Sequence, residues 1–222
     1  MTQRHPRGLT RRIRALVCAL VLSTATTAAV AAEPSEATVD RLNDLVVQAV
    51  PMGEIYEMLA KDDPKWPMQD KPDAVTSTQL ACLRRELSVD GYRASRRVEV
   101  AEYARRNPEN VEGDIRVLAD GAAFLMRALM LAGAENERSG KEVVPEEVLG
   151  TATPAQASAF ISFMSEPKYS DLRGLTGIGN SYASGNSARQ NEAAGESAGE
   201  NLAMREMLGA MERCDVPMSV LF

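Results

Sequence analysis

Apolar residues recur along this chain at spacings of three and four and almost nowhere in alternation, which predicts helices and few strands. Ser35 can cap a first helix in which Val39, Leu42, Val46 and Val50 share a face, and Pro51 ends it. A second, shorter helix over 52–61 carries Ile55, Met58 and Leu59, and Asp62-Asp-Pro-Lys-Trp-Pro67 opens a connection running to about Thr76. From Leu80 the small or apolar positions Leu83, Leu87, Gly91, Ala94, Val98 and Ala101 predict one buried face of a long helix, interrupted at most at Asp90-Gly91 and closed by Arg106-Asn107-Pro108. A fourth helix over about 112–132 places Val117, Leu118, Phe124, Leu125 and Leu129 in the core, with Gly133 and the polar stretch to Lys141 as its stop.

Thr153-Pro154 reads as a cap followed by proline at the first helical position, then Phe160, Ile161, Phe163 and Met164, with Pro167 closing that helix. The last segment begins near Tyr169 and ends as an amphipathic helix with Met204, Met207, Leu208 and Met211 before Pro217. The pattern predicts an all-α single domain of about six helices with a long C-terminal helical segment.

Residues 177–201 break the regularity. Gly177-Ile-Gly179 lacks the Lys-Ser/Thr of a phosphate loop and the third glycine of a dinucleotide loop. Two readings stay open for this Gly/Ser/Asn-rich stretch. It is a mobile segment, or a helix in a hairpin whose stripe of small residues, Gly174, Gly177, Ser181, Ser184, Ala188, Gly195 and Ala198, lets another backbone approach.

The N-terminus changes the picture of where the chain goes. Arg4, Arg7, Arg11, Arg12 and Arg14 precede an uncharged run from Ala15, and Ala29-Val30-Ala31 offers small residues for a signal peptidase. Residues 1–31 are read as a cleaved signal peptide and 32–222 as the exported, periplasmic domain, with no stable membrane span remaining. Cleavage removes five of the 25 basic residues and none of the 31 acidic ones, leaving 20 against 31, a net charge of −11. Such a chain should repel nucleic acid.

The residue inventory then narrows the chemistry. His5 is the only histidine and falls within residues 1–31, so imidazole catalysis and imidazole metal sites are excluded from the mature chain. Cys82 and Cys214 survive processing into an oxidising compartment and are read as a disulfide, with two buried free thiols as the alternative. No cofactor is implied.

Three constellations remain. Met204, Met207 and Met211, with Cys214, put sulfur on one helical face and are the candidate ligands for a soft metal such as Cu(I); core packing explains the same spacing. Arg84, Arg85, Arg93, Arg96, Arg97, Arg105 and Arg106 form the locally basic region, a candidate contact for an anionic envelope component or an acidic partner, or a solvated face threaded with Glu86, Asp90, Glu99 and Glu102. Glu99 and Glu102, three apart on one turn, are the carboxylate pair that a histidine-free hydrolase would need.

The stretch Thr153-Pro-Ala-Gln-Ala-Ser-Ala-Phe-Ile-Ser-Phe-Met-Ser-Glu-Pro167 resembles bacterial domain-of-unknown-function family 2059. There a helix of this type carries an aromatic pair and then a Ser-Pro followed by Gly. Phe160, Phe163, Ser165 and Pro167 follow that pattern, with Glu166 intervening and Lys168-Tyr169 in the place of the Gly. The two short amphipathic helices from Ser35 to Leu59 share the family's layout. The resemblance implies a helical periplasmic domain without assigned catalysis. The expectation is therefore a non-catalytic binding or interaction module of the cell envelope, with a carboxylate-dependent cell-wall hydrolase and a Cu(I) carrier as alternatives.

Overall fold

The computed structural model describes residues 33–140, 144–179, 181–183 and 185–220. The signal-peptide reading of 1–31, with His5, lies outside them. The described residues are all-α, with no strand among them.

Helix α1 (Glu36–Ala49) starts where Ser35 accepts the Thr38 N–H, and it buries Leu42, Val46 and Ala49 completely. Leu42 and Val46 each contribute roughly 1.5–3 kcal/mol. Helix α2 (Met52–Asp62) follows Pro51 directly. The connection to Thr76 is anchored rather than loose: Trp66 is buried against Tyr56, with ring centroids 5.4 Å apart. Arg84 donates to the carbonyls of Ala60, Asp63 and Trp66, so one guanidinium satisfies three backbone acceptors of that connection.

The long helix expected from Leu80 is two helices, α3 (Ser77–Glu86) and α4 (Val89–Arg106). Thr76 and Gln79 form a capping box at the start of α3, and Ser88 accepts the Gly91 N–H at the start of α4, so the corner falls at Leu87-Ser88. Gly91 is required by that corner, since a Cβ there would lie 2.3 Å from the Arg85 carbonyl oxygen.

The buried face of α4 is also not the one the small residues predict. Tyr92, Arg96, Val100, Tyr103 and Ala104 face inward, whereas Ala94 is exposed and Val98 is 71% exposed. The polar atoms of the two tyrosines and the arginine disguise the inward face in a hydropathy pattern.

Helices α5 (Val111–Val117) and α6 (Ala123–Ser139) continue one another across a wide turn at 118–122, closed by the Ala123 N–H on the Leu118 carbonyl. Gly121 sits there at φ 141°, and a Cβ on it would lie 2.6 Å from Gln156 Cα. Only glycine lets α8 (Pro154–Ser165) seat against this turn. Gly133 does not stop α6, which runs on to Ser139. Phe124 is 44% exposed rather than buried. The run Val111–Ser139 is long and apolar enough to cross a membrane. It is broken at Gly121, buries Asp114 and pairs Arg127 with Glu54 at 2.5 Å.

A short helix α7 (Pro145–Gly150) precedes α8; the sequence pattern did not predict it. The capping box of Thr153 and Gln156 and the stop before Pro167 are as expected. Within α8, Phe163 is fully buried while Ile161 is exposed.

The helical reading of 177–201 holds from Ala188 onward. Helix α9 (Ser170–Thr176) ends at Gly177, 178–187 is irregular among its described residues, and α10 (Ala188–Arg213) begins with a Ser187/Gln190 capping box. Asn191 brackets the irregular stretch, accepting from the Ala183 N–H and donating to its carbonyl. Among its glycines the small stripe gives a close approach at Gly177, where a Cβ would lie 3.0 Å from Leu202 Cδ1, whereas at Gly174 or Gly195 it would meet nothing within 4 Å. Cys82 on α3 and Cys214 at the end of α10 form a disulfide across 132 residues, which stabilises by about 5 kcal/mol in the chain-entropy account.

Candidate functional site

The wide turn and the seated α8 shape a groove of about 600 Å³ between α5 and α8. Asp114, Glu109 and Asp120 line one wall; Ser162, Glu166 and Lys168 line the other. Asp114 forms the floor, with 1% of the residue exposed.

Its setting is unusual for a carboxyl group. Tyr103 of α4 donates its phenolic hydrogen to Asp114 Oδ2 at 2.6 Å, and no cation pairs with it among the described residues. Burial pushes the Asp114 pKa up to about 6; the Tyr103 hydrogen bond opposes this and the nearby charge of Asp171 adds to it. The Tyr103 phenol is pushed up as well, first by its own burial and then by its bond to Asp114. The Glu166 carboxylate, by contrast, is held below the usual range by hydrogen bonds from Lys168, 2.7 Å away, and from Ser162. One groove thus presents a carboxyl that protonates under mildly acidic conditions and a second that stays ionised.

The opposite wall is fixed from behind. Arg173, 6% exposed, donates to the Phe163 carbonyl at 2.6 Å and the Glu166 carbonyl at 3.0 Å, capping the end of α8. Lys168 also lies 4.8 Å from the centroid of the Tyr169 ring.

The residues singled out from sequence lie elsewhere. Glu99 and Glu102 line a neighbouring recess with Tyr103 and Asp171, but both are exposed and taken by arginines, Glu99 by Arg96 and Glu102 by Arg106 at 3.7 Å. The arginine region dissolves into separate ties. Arg93 pairs with Asp44 at 2.6 Å, Arg97 with Asp40 at 2.6 Å and with Glu36, and Arg84 with backbone carbonyls. Arg96 is wholly buried, where a solvated or anion-contacting face would need it outside.

The sulfur stripe divides in the same way. Met204 is 55% exposed, Met207 is half-buried, Met211 is fully buried and Cys214 is in the disulfide, so the four do not converge on one point. Among the described residues no three His, Cys, Asp or Glu side chains come together as a metal ligand set.

Sequence reasoning passed over Asp114 and Tyr103. The signal for Asp114 was present: it stands three residues from both Val111 and Val117, a lone carboxylate on an apolar face. Tyr103 had no such mark, because its role depends on a helix eleven residues further on. Comparison with known proteins adds no name to this arrangement, since no protein-family model, no curated protein and no solved structure matches the chain.

Proposed function

We propose that this protein is an exported, periplasmic interaction module that binds a polar component of the cell envelope in the groove between α5 and α8 without transforming it. The observation that carries this reading is the floor of the groove, where a nearly buried carboxyl is held by one tyrosine hydroxyl between helices fixed by Gly121 and Arg173. A rigid recess with one hydrogen-bonded polar group at its base recognises a ligand by orientation. The leader-like residues 1–31, the absence of histidine beyond His5 and the resemblance of 153–167 to family 2059 support the same reading.

Peptidoglycan fragments, which carry both amino and carboxylate groups, are the natural probe for a groove with Arg116 and Lys168 among its carboxylates. Titrating soluble muropeptides into isotope-labelled mature protein should move the amide resonances of Gly113, Asp114, Ala159 and Tyr169 together. Asp114→Asn should weaken that binding severalfold. No displacement at these residues up to millimolar fragment would sink the reading.

One observation favours a second reading. Asp114, with its raised pKa, and the ionised Glu166 line the same groove, and two carboxylates with pKa values pushed apart are what acid-assisted glycoside hydrolysis requires. Release of reducing ends from peptidoglycan by the wild type, lost in both Asp114→Asn and Glu166→Gln, would replace the binding module with a hydrolase.

A further inference from the structure

We infer that the Cys82–Cys214 disulfide is a redox latch that holds the C-terminal helix α10 on a polar seat, and that its reduction releases the second half of α10 while the rest of the fold stays closed.

The seat is the starting point. Where α10 lies over α2 and α4, three buried polar atoms have no hydrogen-bond partner: the hydroxyls of Tyr56 and Tyr92 and the Nε of Arg96. Tyr56, Tyr92 and Arg96 are 5%, 2% and 0% exposed, and Glu206 of α10, at 7%, is the carboxylate facing them. Arg96 Nη1 reaches Glu206 at 3.8 Å and Ser95 reaches it at 3.5 Å; its nearer cation, at 3.5 Å, is Arg205 of α10 itself, which ties it to nothing outside that helix. Each buried polar group left without a partner weakens the packing around it, because its lost hydration is not replaced. An interface carrying three of them is weakly self-sealing.

The rest of the attachment is sparse. Residues 189–201, the first half of α10, are exposed apart from the half-buried Asn191, Ala194 and Ala198. The second half buries Leu202, Ala210 and Met211 and adds the exposed pair Arg213–Glu86 at 2.7 Å. Beyond the helix, Gln79 donates to the Asp215 carbonyl at 2.8 Å. An exposed, solvent-screened ion pair holds little. The covalent tie to α3 therefore carries a large share of what keeps the second half in place.

That tie is also reachable. Cys82 is only partly buried whereas Cys214 is 6% exposed, and Arg85 Nη2 lies 3.4 Å from Cys82 Sγ. A dithiol reductant supplies the exchange. Its thiolate, drawn by the Arg85 cation, attacks Cys82 Sγ; the S–S bond breaks and Cys214 leaves as a thiolate that takes up a proton. The reductant's second thiol gives up its proton as it attacks its own sulfur in the mixed disulfide. Cys82 is released and protonated, so two electrons and two protons pass to the protein and the reductant ends as a disulfide.

Amide hydrogen exchange on the full mature chain, oxidised and after reduction with a phosphine, tests the latch. The expected result is a tenfold or greater rise in exchange across 202–213 on reduction, with 36–49 and 123–132 changed less than twofold. Unchanged protection of 202–213 would overturn the proposal, and so would loss of protection throughout the molecule, which would make the disulfide a general support. The double variant Tyr56→Phe/Tyr92→Phe removes two partnerless hydroxyls without altering the disulfide. It should narrow the oxidised-to-reduced difference severalfold, and an unchanged or wider difference would overturn the argument from the seat.

Discussion

Tyr103 on α4 donates a 2.6 Å hydrogen bond to Asp114 Oδ2 on α5, so the helices on either side of the Asn107-Pro108 corner are joined through a carboxyl that water hardly reaches. The burial of that carboxyl, which the bond only partly offsets, makes the fold sensitive to pH in a direction opposite to the usual carboxylate.

Asp114 ionises near pH 3.9 in an unfolded chain but only at about 6 in the native one. The native state therefore holds the proton more tightly, and stability falls as pH rises from about 4 to 6, being lowest with respect to this group above pH 6. A shift of about two units corresponds to roughly 3 kcal/mol. Denaturant titrations at pH 4, 5, 6 and 7 should show this loss in the wild type and little of it in Asp114→Asn, which keeps an acceptor for Tyr103 but has no charge to bury.

Arg96 is fully buried and divides its guanidinium between Glu99, the Leu175 carbonyl and Glu206. Replacing it with leucine takes one of two cations from the buried Glu206, leaving Arg205 at 3.5 Å, and removes the donor to the Leu175 carbonyl; it should cost about 2–4 kcal/mol by chemical denaturation. Arg96→Lys should recover little, because lysine ends in one nitrogen where the guanidinium sends Nη1 to Glu99 and Glu206 and Nη2 to the Leu175 carbonyl. Adding Glu206→Leu to Arg96→Leu should restore a substantial part of the loss, since Glu99 is exposed and can be solvated instead.

Gly121→Ala forces a side chain onto a residue at φ 141° and drives its Cβ to 2.6 Å from Gln156 Cα. The backbone term alone is about 1–3 kcal/mol, and α8 must also retreat. A fall of roughly 10 °C or more in thermal midpoint is expected, together with weaker muropeptide binding, because α8 is one wall of the groove.

The two valines of α4 test which face is buried. Val98→Ala should leave stability within about 0.5 kcal/mol, whereas Val100→Ala, with the same atoms removed from a fully buried site, should cost about 2 kcal/mol. Equal effects would mean that α4 presents the other face.

What the sequence discloses follows a physical division. Caps are legible because they are local: Ser35 and Thr153 bond to backbone within three residues, and both helices begin where those residues stand. The pairing of Cys82 with Cys214 was legible because only two cysteines remain beyond the leader-like segment. The face of α4 was not, since Tyr92, Arg96 and Tyr103 are buried by virtue of what lies opposite them, and Ala94 and Val98 read as core but are exposed. The groove shared that fate. Its floor depends on Tyr103 meeting Asp114, and its second wall on Gly121 meeting Gln156, 35 positions later in the chain.

The wide turn at 118–122 has a consequence in terms of chain length. The Ala123 N–H reaches back five residues to Leu118 where a regular helix reaches four, so the segment carries one residue more than a continuous helix would use. Deleting one residue there would let α5 run unbroken into α6 and leave Leu125 and Met126 facing the core, because the residue lost is the one the wide turn absorbs. A deletion inside the regular part of α6 has no such slack, and everything beyond it would turn by about 100° around the axis. A scan of single-codon deletions should therefore find 118–122 more tolerant than 123–132, its remaining cost being the loss of the seat that Gly121 makes for α8.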